Sequence, residues 1–212
     1  MPKGSAELTN ARREEILSAC DKLYQTMSFK EITLKDIAGA TSFTRTSIYN
    51  YFQTKEEIFL ALMQKEYECW VKELDSITES YTTMSAEAFS GVLAHTLEKH
   101  GLLLKLLSMN HFDLEANSRP ECLLAFKTAY GASIEAVRRC LVKFFPDMDA
   151  RAQQDFLYAF LPFLYGIYPY TTVSEKQRKA MADAGLNFVY MSVYDIACNC
   201  ILSLLKAAGY HK

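Results

Sequence analysis

The sequence predicts an all-α protein with a helix-turn-helix, three-helix domain at the N-terminus and a larger helical domain after it. Apolar residues recur at helical spacing over most of the 212 residues, and no sign of β structure appears. Two capping patterns, Thr-x-x-Asp from Thr33 and Thr-x-x-Glu from Thr54, each predict a helix start. The interval between them has room for only a short turn and a short helix.

The elements of the N-terminal domain follow in order. A first helix is predicted from about residue 10 to 27, because Ile16, Cys20 and Tyr24 repeat at helical spacing. The second helix begins after Thr33, and Thr44 is the expected N-cap of the third. Two further residues near the start of the first helix, Arg12 and Arg13, are interpreted as solvated surface residues in preference to phosphate contacts.

The third helix, residues 45–52, is predicted to be amphipathic. At about 100° per residue, Ile48 and Phe52 fall on one side of it, with Ser47 and Tyr51 at the margins. The opposite arc carries Arg45, Thr46, Tyr49 and Asn50. Arginine can bond guanine, asparagine can bond adenine, and the threonine methyl can contact the thymine methyl. The pattern therefore favours DNA recognition over an ordinary amphipathic surface.

The order of these parts resembles the tetracycline-repressor (TetR) family of bacterial regulators. The matching residues are Ile37-Ala38, Tyr49-Asn50-Tyr51-Phe52 and Lys55. The resemblance implies base contacts mainly from Arg45, Thr46 and Tyr49, and DNA-backbone contacts from Thr33, Thr44, Ser47, Asn50, Tyr51 and Lys55. One departure is Ser42, which occupies a turn position where the family usually has glycine. A positive φ there would strain serine relative to glycine.

After Thr54 a long helix is predicted to about residue 77. Further helices are predicted at about 86–99, 101–109, 120–144, 150–170, 175–183 and 186–207. The predicted division of the chain is a DNA-binding domain at 1–54, a connecting helix at 55–80, and an effector-binding and dimerisation domain at 81–212.

The charge balance indicates how such a protein must bind DNA. The net charge is -2, and residues 1–65 hold nine Lys or Arg against eight Asp or Glu. Bulk positive charge is therefore not available for coating nucleic acid. We expect a few well-placed contacts, present in two copies in a homodimer on a pseudo-palindromic operator.

The dimer is expected to form through the helices at 150–170 and 186–207. The second of these is apolar on nearly all sides, and the first has no charge between Phe156 and Ser174. The family resemblance implies that two late helices of each subunit form a four-helix bundle. A large monomeric core is the alternative explanation.

A surplus of aromatic residues predicts an effector pocket in the C-terminal domain. The candidate lining residues are Trp70, Met109, His111, Phe112, Phe126, Tyr130, Phe163, Tyr165 and Tyr168. A mainly apolar cavity with a few hydroxyl groups suits a small apolar or aromatic molecule. Pro162 and Gly166 are expected to loosen one wall of it. The alternative is that these rings are ordinary core residues.

Other classes of site receive no support from the sequence. There is no GxSxG motif, P-loop or dinucleotide fingerprint, so the protein is not predicted to be an enzyme or to hold a cofactor. The six cysteines are scattered, and His95, His100, His111 and His211 form no recognisable ligand set, so no metal site is predicted. The uncharged stretch 156–174 has too many tyrosines and prolines for a membrane span. A cytoplasmic location with free thiols is expected.

These observations predict a dimeric, ligand-responsive transcriptional regulator, and a repressor in preference to an activator. A small, mainly apolar ligand would release it from the operator. Two alternatives stay open: a DNA-binding regulator controlled by a protein partner without a small-molecule effector, and an all-helical small-molecule carrier.

Overall fold

The computed structural model describes residues 3–109 and 111–210, with side chains from Glu7 onward; His211 lies outside them. As predicted, the described residues form helices and no strand. In chain order the helices are α1 (Lys3–Thr26), α2 (Leu34–Gly39), α3 (Arg45–Ile48), α4 (Lys55–Ser80), α5 (Ala86–Lys99), α6 (Gly101–Leu107), α7 (His111–Ala116), α8 (Pro120–Phe144), α9 (Ala150–Thr171), α10 (Glu175–Asp183) and α11 (Val193–Ala207).

The helix starts of the N-terminal region are set by their caps, as the sequence predicted. Thr33 and Asp36 form a complete capping box at α2. The Thr44 hydroxyl accepts a bond from the Ser47 amide at α3. At α4 the Glu57 amide donates to Thr54 Oγ1 over 3.2 Å. Each cap satisfies an amide that the first helical turn leaves without an intrahelical partner.

The described residues form two compact units. Those within 1–65 and 110–129 form the first unit, and those within 66–109 and 130–212 form the second. The boundary falls inside α4 after Lys65 and inside α8 after Ala129. The first unit thus includes α7 and the beginning of α8, which the sequence-based division placed with the C-terminal domain.

The core of the first unit is aromatic and aliphatic. Ile16 of α1, Ile37 of α2 and Ile48 of α3 are fully buried. The ring of Phe59 on α4 meets Tyr24 edge-on at a centroid distance of 5.0 Å. Burial of each large side chain contributes roughly 1.5–3 kcal/mol. The helix-turn-helix is therefore anchored from behind by α1 and the start of α4.

The second unit is built around α5, α9 and α11, with α5 and α9 both packing on α11 and α6 packing on α9. Trp70 of α4 is fully buried in it. Its indole Nε1 donates a 2.9 Å hydrogen bond to Thr96 Oγ1. This bond satisfies the one polar atom of a large core side chain, as buried indoles require.

The prediction of a helix from 186 to 207 was wrong in its first part. α10 ends before Gly185, which has a φ of 67°, and α11 begins only at Val193. Ser192 and Asp195 form a capping box there, which defines the helix start. Residues 186–192 are non-helical, and Val189 is 74% exposed. Their apolar composition suggested a buried helix, whereas the cap decides where the helix begins.

Three smaller differences concern helix bounds. The first helix starts at Lys3, earlier than the predicted residue 10. The short α7 was not predicted. The third helix keeps regular α-helical form only to Ile48, because the Asn50 and Tyr51 amides bond the carbonyls three residues back, at Ser47 and Ile48.

α9 continues through Pro162 and Pro169. No described helix, α9 included, has the length and apolarity of a membrane span.

Candidate nucleic-acid interface

Residues 44–52, called the recognition segment below, have the exposure pattern that the sequence predicts. Ile48 and Phe52 are both fully buried, which fixes one side of the segment to the core. All four side chains of the predicted arc, Arg45, Thr46, Tyr49 and Asn50, are exposed, as is the N-cap Thr44. Four different polar groups therefore face solvent on a rigidly anchored support.

Two members of the exposed arc hold each other. Arg45 donates a 3.1 Å hydrogen bond from Nη2 to the Tyr49 hydroxyl. Its guanidinium carbon lies 5.9 Å from the centroid of the Tyr49 ring. Tyr49 is 44% exposed, so the pair remains accessible. The contact restricts the Arg45 side chain before any partner binds, which lowers the ordering entropy of a contact made by it.

The turn before the recognition segment does not require glycine. Among the described residues only glycines have a positive φ, so Ser42 does not have one. The Ser42 amide donates to Glu15 Oε1 of α1 over 2.6 Å. This backbone bond, together with a side-chain bond from Ser42, lowers the pKa of the Glu15 carboxyl. The strain considered for serine at this position therefore does not arise.

Lys55 supports the loop before α2. Its ammonium donates to the Phe29 carbonyl over 2.7 Å and to the Ile32 carbonyl over 3.0 Å. It also lies 4.3 Å from the centroid of the Phe29 ring. An ammonium group has three donors, so these bonds occupy two of them. Lys55 has a structural role in addition to the phosphate contact predicted for it.

Five of the nine predicted DNA contacts line two clefts of the first unit. A cleft of about 550 Å³ is lined in part by Thr33, Arg45 and Lys55. A second cleft of about 300 Å³ is lined in part by Asn50 and Tyr51. Thr44 and Ser47 lie at the start of α3, where their hydroxyl groups are 3.0 Å apart.

Several residues that support this surface were missed or undervalued. Arg12, interpreted as solvated, donates to the Tyr51 hydroxyl over 3.3 Å, and the Arg13 guanidinium lies 4.5 Å from the centroid of the Phe52 ring. Arg119 reaches the Tyr51 carbonyl over 3.4 Å. No local pattern could have revealed Arg119, because it lies far along the chain from the segment that it contacts.

The residues predicted to line an effector pocket occupy different positions. Trp70 is fully buried. In the second unit, Tyr130 lines a cavity of about 310 Å³ together with Leu157 and Pro162. Phe163 lines another cavity there, of about 320 Å³.

The other predicted pocket residues lie in both units. Met109, Tyr165 and Tyr168 are partly exposed in the second unit. His111, Phe112 and Phe126 belong to the first unit, where Phe112 is 86% exposed and Phe126 is buried. Among the residues that the structure describes, no group of three or more His, Cys, Asp or Glu side chains could hold a metal ion.

A short helix with an exposed polar arc, held on a buried anchor behind a capped turn, defines the class of helix-turn-helix DNA-binding proteins. Comparison with known families agrees with this class. The model for bacterial regulatory proteins of the tetR family matches residues 16–62. The model for the tetracyclin repressor-like C-terminal domain matches residues 64–193. The chain belongs to the TetR family of transcriptional regulators, whose members bind DNA and typically act as dimers.

Two HTH-type transcriptional regulators resemble the chain over part of their length. An uncharacterised HTH-type transcriptional regulator, YfiR of Bacillus subtilis strain 168, is 30% identical over 78 residues, which are 37% of this chain and 38% of YfiR. The HTH-type transcriptional regulator RutR of Escherichia coli K12 is 25% identical over 77 residues, 36% of each chain. The similarity therefore spans little more than a third of either relative.

Solved structures resemble the chain over nearly its whole length. A putative TetR-family regulator from Mesorhizobium loti has a TM-score of 0.63 at 14% identity and covers 94% of this chain and 97% of its own. A TetR/AcrR-family regulator from Thermobifida fusca has a TM-score of 0.60 at 18% identity, with 95% and 100% covered. The fatty acid degradation regulator FadR of Bacillus halodurans has a TM-score of 0.56 at 17% identity, with 91% and 94% covered. At these identities the likeness concerns the fold.

Proposed function

We propose that the chain is a homodimeric cytoplasmic repressor that binds a pseudo-palindromic operator and is released from it by a small, mainly apolar ligand. The observation that carries the DNA-binding part is the exposed arc opposite the buried Ile48 and Phe52. In this proposal Arg45, Thr46 and Tyr49 contact bases. The contacts to the DNA backbone come from Thr33, Thr44, Ser47, Asn50, Tyr51 and Lys55.

The assignment of base contacts follows from side-chain chemistry and exposure. Arg45 presents a planar fork of donors that fits guanine O6 and N7 in the major groove. Tyr49 holds that fork through its hydroxyl, so a base contact by Arg45 depends on Tyr49 as well. The hydroxyl groups around the arc suit phosphate oxygens, which set the register without reading sequence.

Dimer formation is supported by the apolar exposure of the second unit. Tyr158 and Tyr170 of α9 are 73% and 61% exposed. In the segment between α10 and α11, Leu186 and Val189 are 60% and 74% exposed. In this proposal these side chains belong to one contiguous apolar surface, and such surfaces mark association sites. A two-fold dimer would present two recognition segments about 34–36 Å apart, or a multiple of that, to major grooves on one face of the duplex.

Ligand release is supported by the two cavities of the second unit, each of a size that holds a small molecule. A ligand that prefers one arrangement of the dimer would shift the population toward it. Both α4 and α8 are continuous across the unit boundary, so a displacement in the second unit has a covalent route to the first.

The DNA-binding part is tested by selecting bound sequences from random duplex DNA with the full-length protein. The wild type is expected to enrich a pseudo-palindrome. Arg45→Ala should lose discrimination at one base position of each half-site, at a cost of about 1–3 kcal/mol. Arg139→Ala is the matched control, because Arg139 is an exposed arginine on α8, in the second unit and outside the helices expected to form the dimer.

A phosphate contact predicts a different result. Lys55→Ala should weaken all sequences alike and lower the dependence of log affinity on log salt by about one. Lys55 also supports two carbonyls of the loop before α2, so its replacement can lower stability. The DNA affinities of the variant and the wild type are therefore compared at the same concentration of folded protein. Enrichment of no palindrome by the wild type would contradict the proposal, and a monomer in sedimentation at micromolar concentration would contradict the dimer.

A further inference from the structure

A buried carboxylate lies directly behind the recognition segment. Glu57, in the first turn of α4, has a side chain with no exposed surface. Its Oε2 accepts a 2.7 Å bond from the Gln53 amide, just after the recognition segment. The same carboxylate is the partner of Arg119, which lies 62 residues further along the chain. A buried carboxylate that is ionised requires such compensation.

Arg119 binds Glu57 with several groups at once. Its Nε donates to Oε1 over 2.7 Å and its Nη2 donates to Oε2 over 2.9 Å, which is the bidentate geometry of a strong pair. The Arg119 backbone amide adds a 3.1 Å bond to Oε1. Burial acts to raise the pKa of Glu57, but the bonds from Arg119 and Gln53 outweigh it, so the pKa is lowered. The carboxylate is therefore charged at neutral pH.

The same arginine also holds the recognition segment. Arg119 Nη2 donates to the Tyr51 carbonyl over 3.4 Å. A second bond ties the same two stretches of chain, since the Thr54 hydroxyl donates to the Asn117 carbonyl over 3.0 Å. Residues 117–119, between α7 and α8, are thus hydrogen-bonded to the stretch 51–57, which leads from the recognition segment into α4.

We propose that Arg119 is a positioning residue for DNA recognition, which fixes the orientation of the recognition segment through Glu57 and the Tyr51 carbonyl without contacting DNA. The inference rests on the proposed function, because it requires the exposed arc to contact DNA. It also places a point of control outside the helix-turn-helix. A displacement of residues 117–119 would be passed directly to the segment that contacts the bases.

A matched control exists in the second unit. Arg139 of α8 pairs with Asp75 of α4, with Nε lying 3.2 Å from Oδ1 and a separation of 64 residues along the chain. The two side chains are 50% and 40% exposed. This pair is also formed by an arginine and a carboxylate of α4, but it lies outside the unit that contains the recognition segment.

The test compares full-length Arg119→Gln, Arg119→Lys and Arg139→Gln with the wild type on a duplex selected by the wild type. The measured quantity is the ratio of affinities for this duplex and for one with a single changed base pair, at several salt concentrations. Arg119→Gln should lower the ratio by about tenfold, equivalent to about 1.4 kcal/mol or one good base contact. Arg119→Lys keeps the charge without the fork and should fall between it and the wild type.

The salt dependence separates positioning from direct contact. Because Arg119 makes no phosphate contact in the proposal, Arg119→Gln should leave the salt slope unchanged. Amide hydrogen exchange should rise in residues 44–53 and not in the part of α1 that is buried, 16–24, which shows a folded protein with a loosened recognition segment. Arg139→Gln should match the wild type in the affinity ratio, the salt slope and exchange.

The outcomes are distinguishable. An unchanged ratio in a folded Arg119→Gln variant would overturn the inference while leaving the proposed function in place. A salt slope reduced by about one would show that Arg119 contacts phosphate and would also overturn it. If Arg119→Gln does not fold, Arg119→Lys decides, and a ratio equal to the wild type in that variant overturns the inference. Failure of the wild type to select any duplex would contradict the proposed function itself.

Discussion

The two units of the chain each contain an arginine that pairs with a carboxylate of α4, and the pairs differ in their surroundings. Glu57 has no exposed surface and takes its bonds from an arginine fork and two backbone amides. Asp75 and Arg139 are both substantially exposed. Water can replace a lost partner at the exposed pair, but it cannot reach the Glu57 carboxylate, which has no exposed surface. An arginine–carboxylate pair can therefore hold backbone segments together in the first unit, whereas the exposed pair contributes little to the stability of the second.

The largest expected effect is the loss of the buried carboxylate. Glu57→Ala should lower the free energy of unfolding by about 1–3 kcal/mol, because the Gln53 amide loses its acceptor and Arg119, which also pairs with Glu121, loses its buried partner. Asp75→Ala should cost less than about 1 kcal/mol, as exposed pairs do. Chemical denaturation of both variants measures the difference. Similar losses of unfolding free energy in the two variants would contradict the distinction between the buried and the exposed pair.

Two buried thiols report which unit is loosened by Glu57→Ala. Cys20 lies in the first unit and Cys140 in the second, and both are fully buried. Burial raises the pKa of each thiol to about 12, so both react slowly while their surroundings stay folded. Glu57→Ala should accelerate alkylation of Cys20 more than that of Cys140. Equal acceleration would indicate global destabilisation.

A somewhat smaller effect is expected from acid. The pKa of Glu57 is lowered in the folded chain, so its stabilisation is complete above the value of glutamate in the unfolded chain, about 4.3, and is lost as the pH falls through the folded value. The wild type should therefore exceed Glu57→Gln in stability by a margin that is constant above about pH 5 and shrinks below about pH 4. Unfolding curves between pH 7 and pH 3 measure this margin. A margin that does not change with pH would contradict the role of the ionised carboxylate.

The smallest effect is expected from the replacement of a helix cap, and two caps with the same hydrogen-bond length should differ in their effect on DNA binding. The hydroxyl of Thr54 accepts the Glu57 amide at α4, and the hydroxyl of Ser85 accepts the Ala88 amide at α5, each over 3.2 Å. Replacement of either by alanine should cost about 1 kcal/mol. Only Thr54 also bonds the Asn117 carbonyl, so only Thr54→Ala should lower discrimination between DNA sequences. Equal DNA binding by the two variants would show that this second bond is dispensable for recognition.

The comparison also explains which parts of the fold the sequence could predict. Elements governed by local chemistry were found correctly: the caps at Thr33, Thr44 and Thr54, the buried Ile48, and the bounds of α5, α8 and α10. The prediction was wrong where it relied on apolar composition and passed over a capping box. The apolar stretch 186–192 was predicted to be helical, but the Ser192 capping box begins α11 after it.

The sequence by itself determined the class of the protein and the exposed arc of its recognition segment, because helix periodicity and capping depend on residues within a few positions of one another. Only the tertiary structure showed that Lys55 supports the Phe29 and Ile32 carbonyls and that Arg119 grips Glu57 and the Tyr51 carbonyl. These contacts join residues more than twenty positions apart, and for Arg119 more than sixty. No local pattern encodes them, since they arise only when packing brings segments that are distant along the chain together and a buried or partly buried polar group must find its partner there.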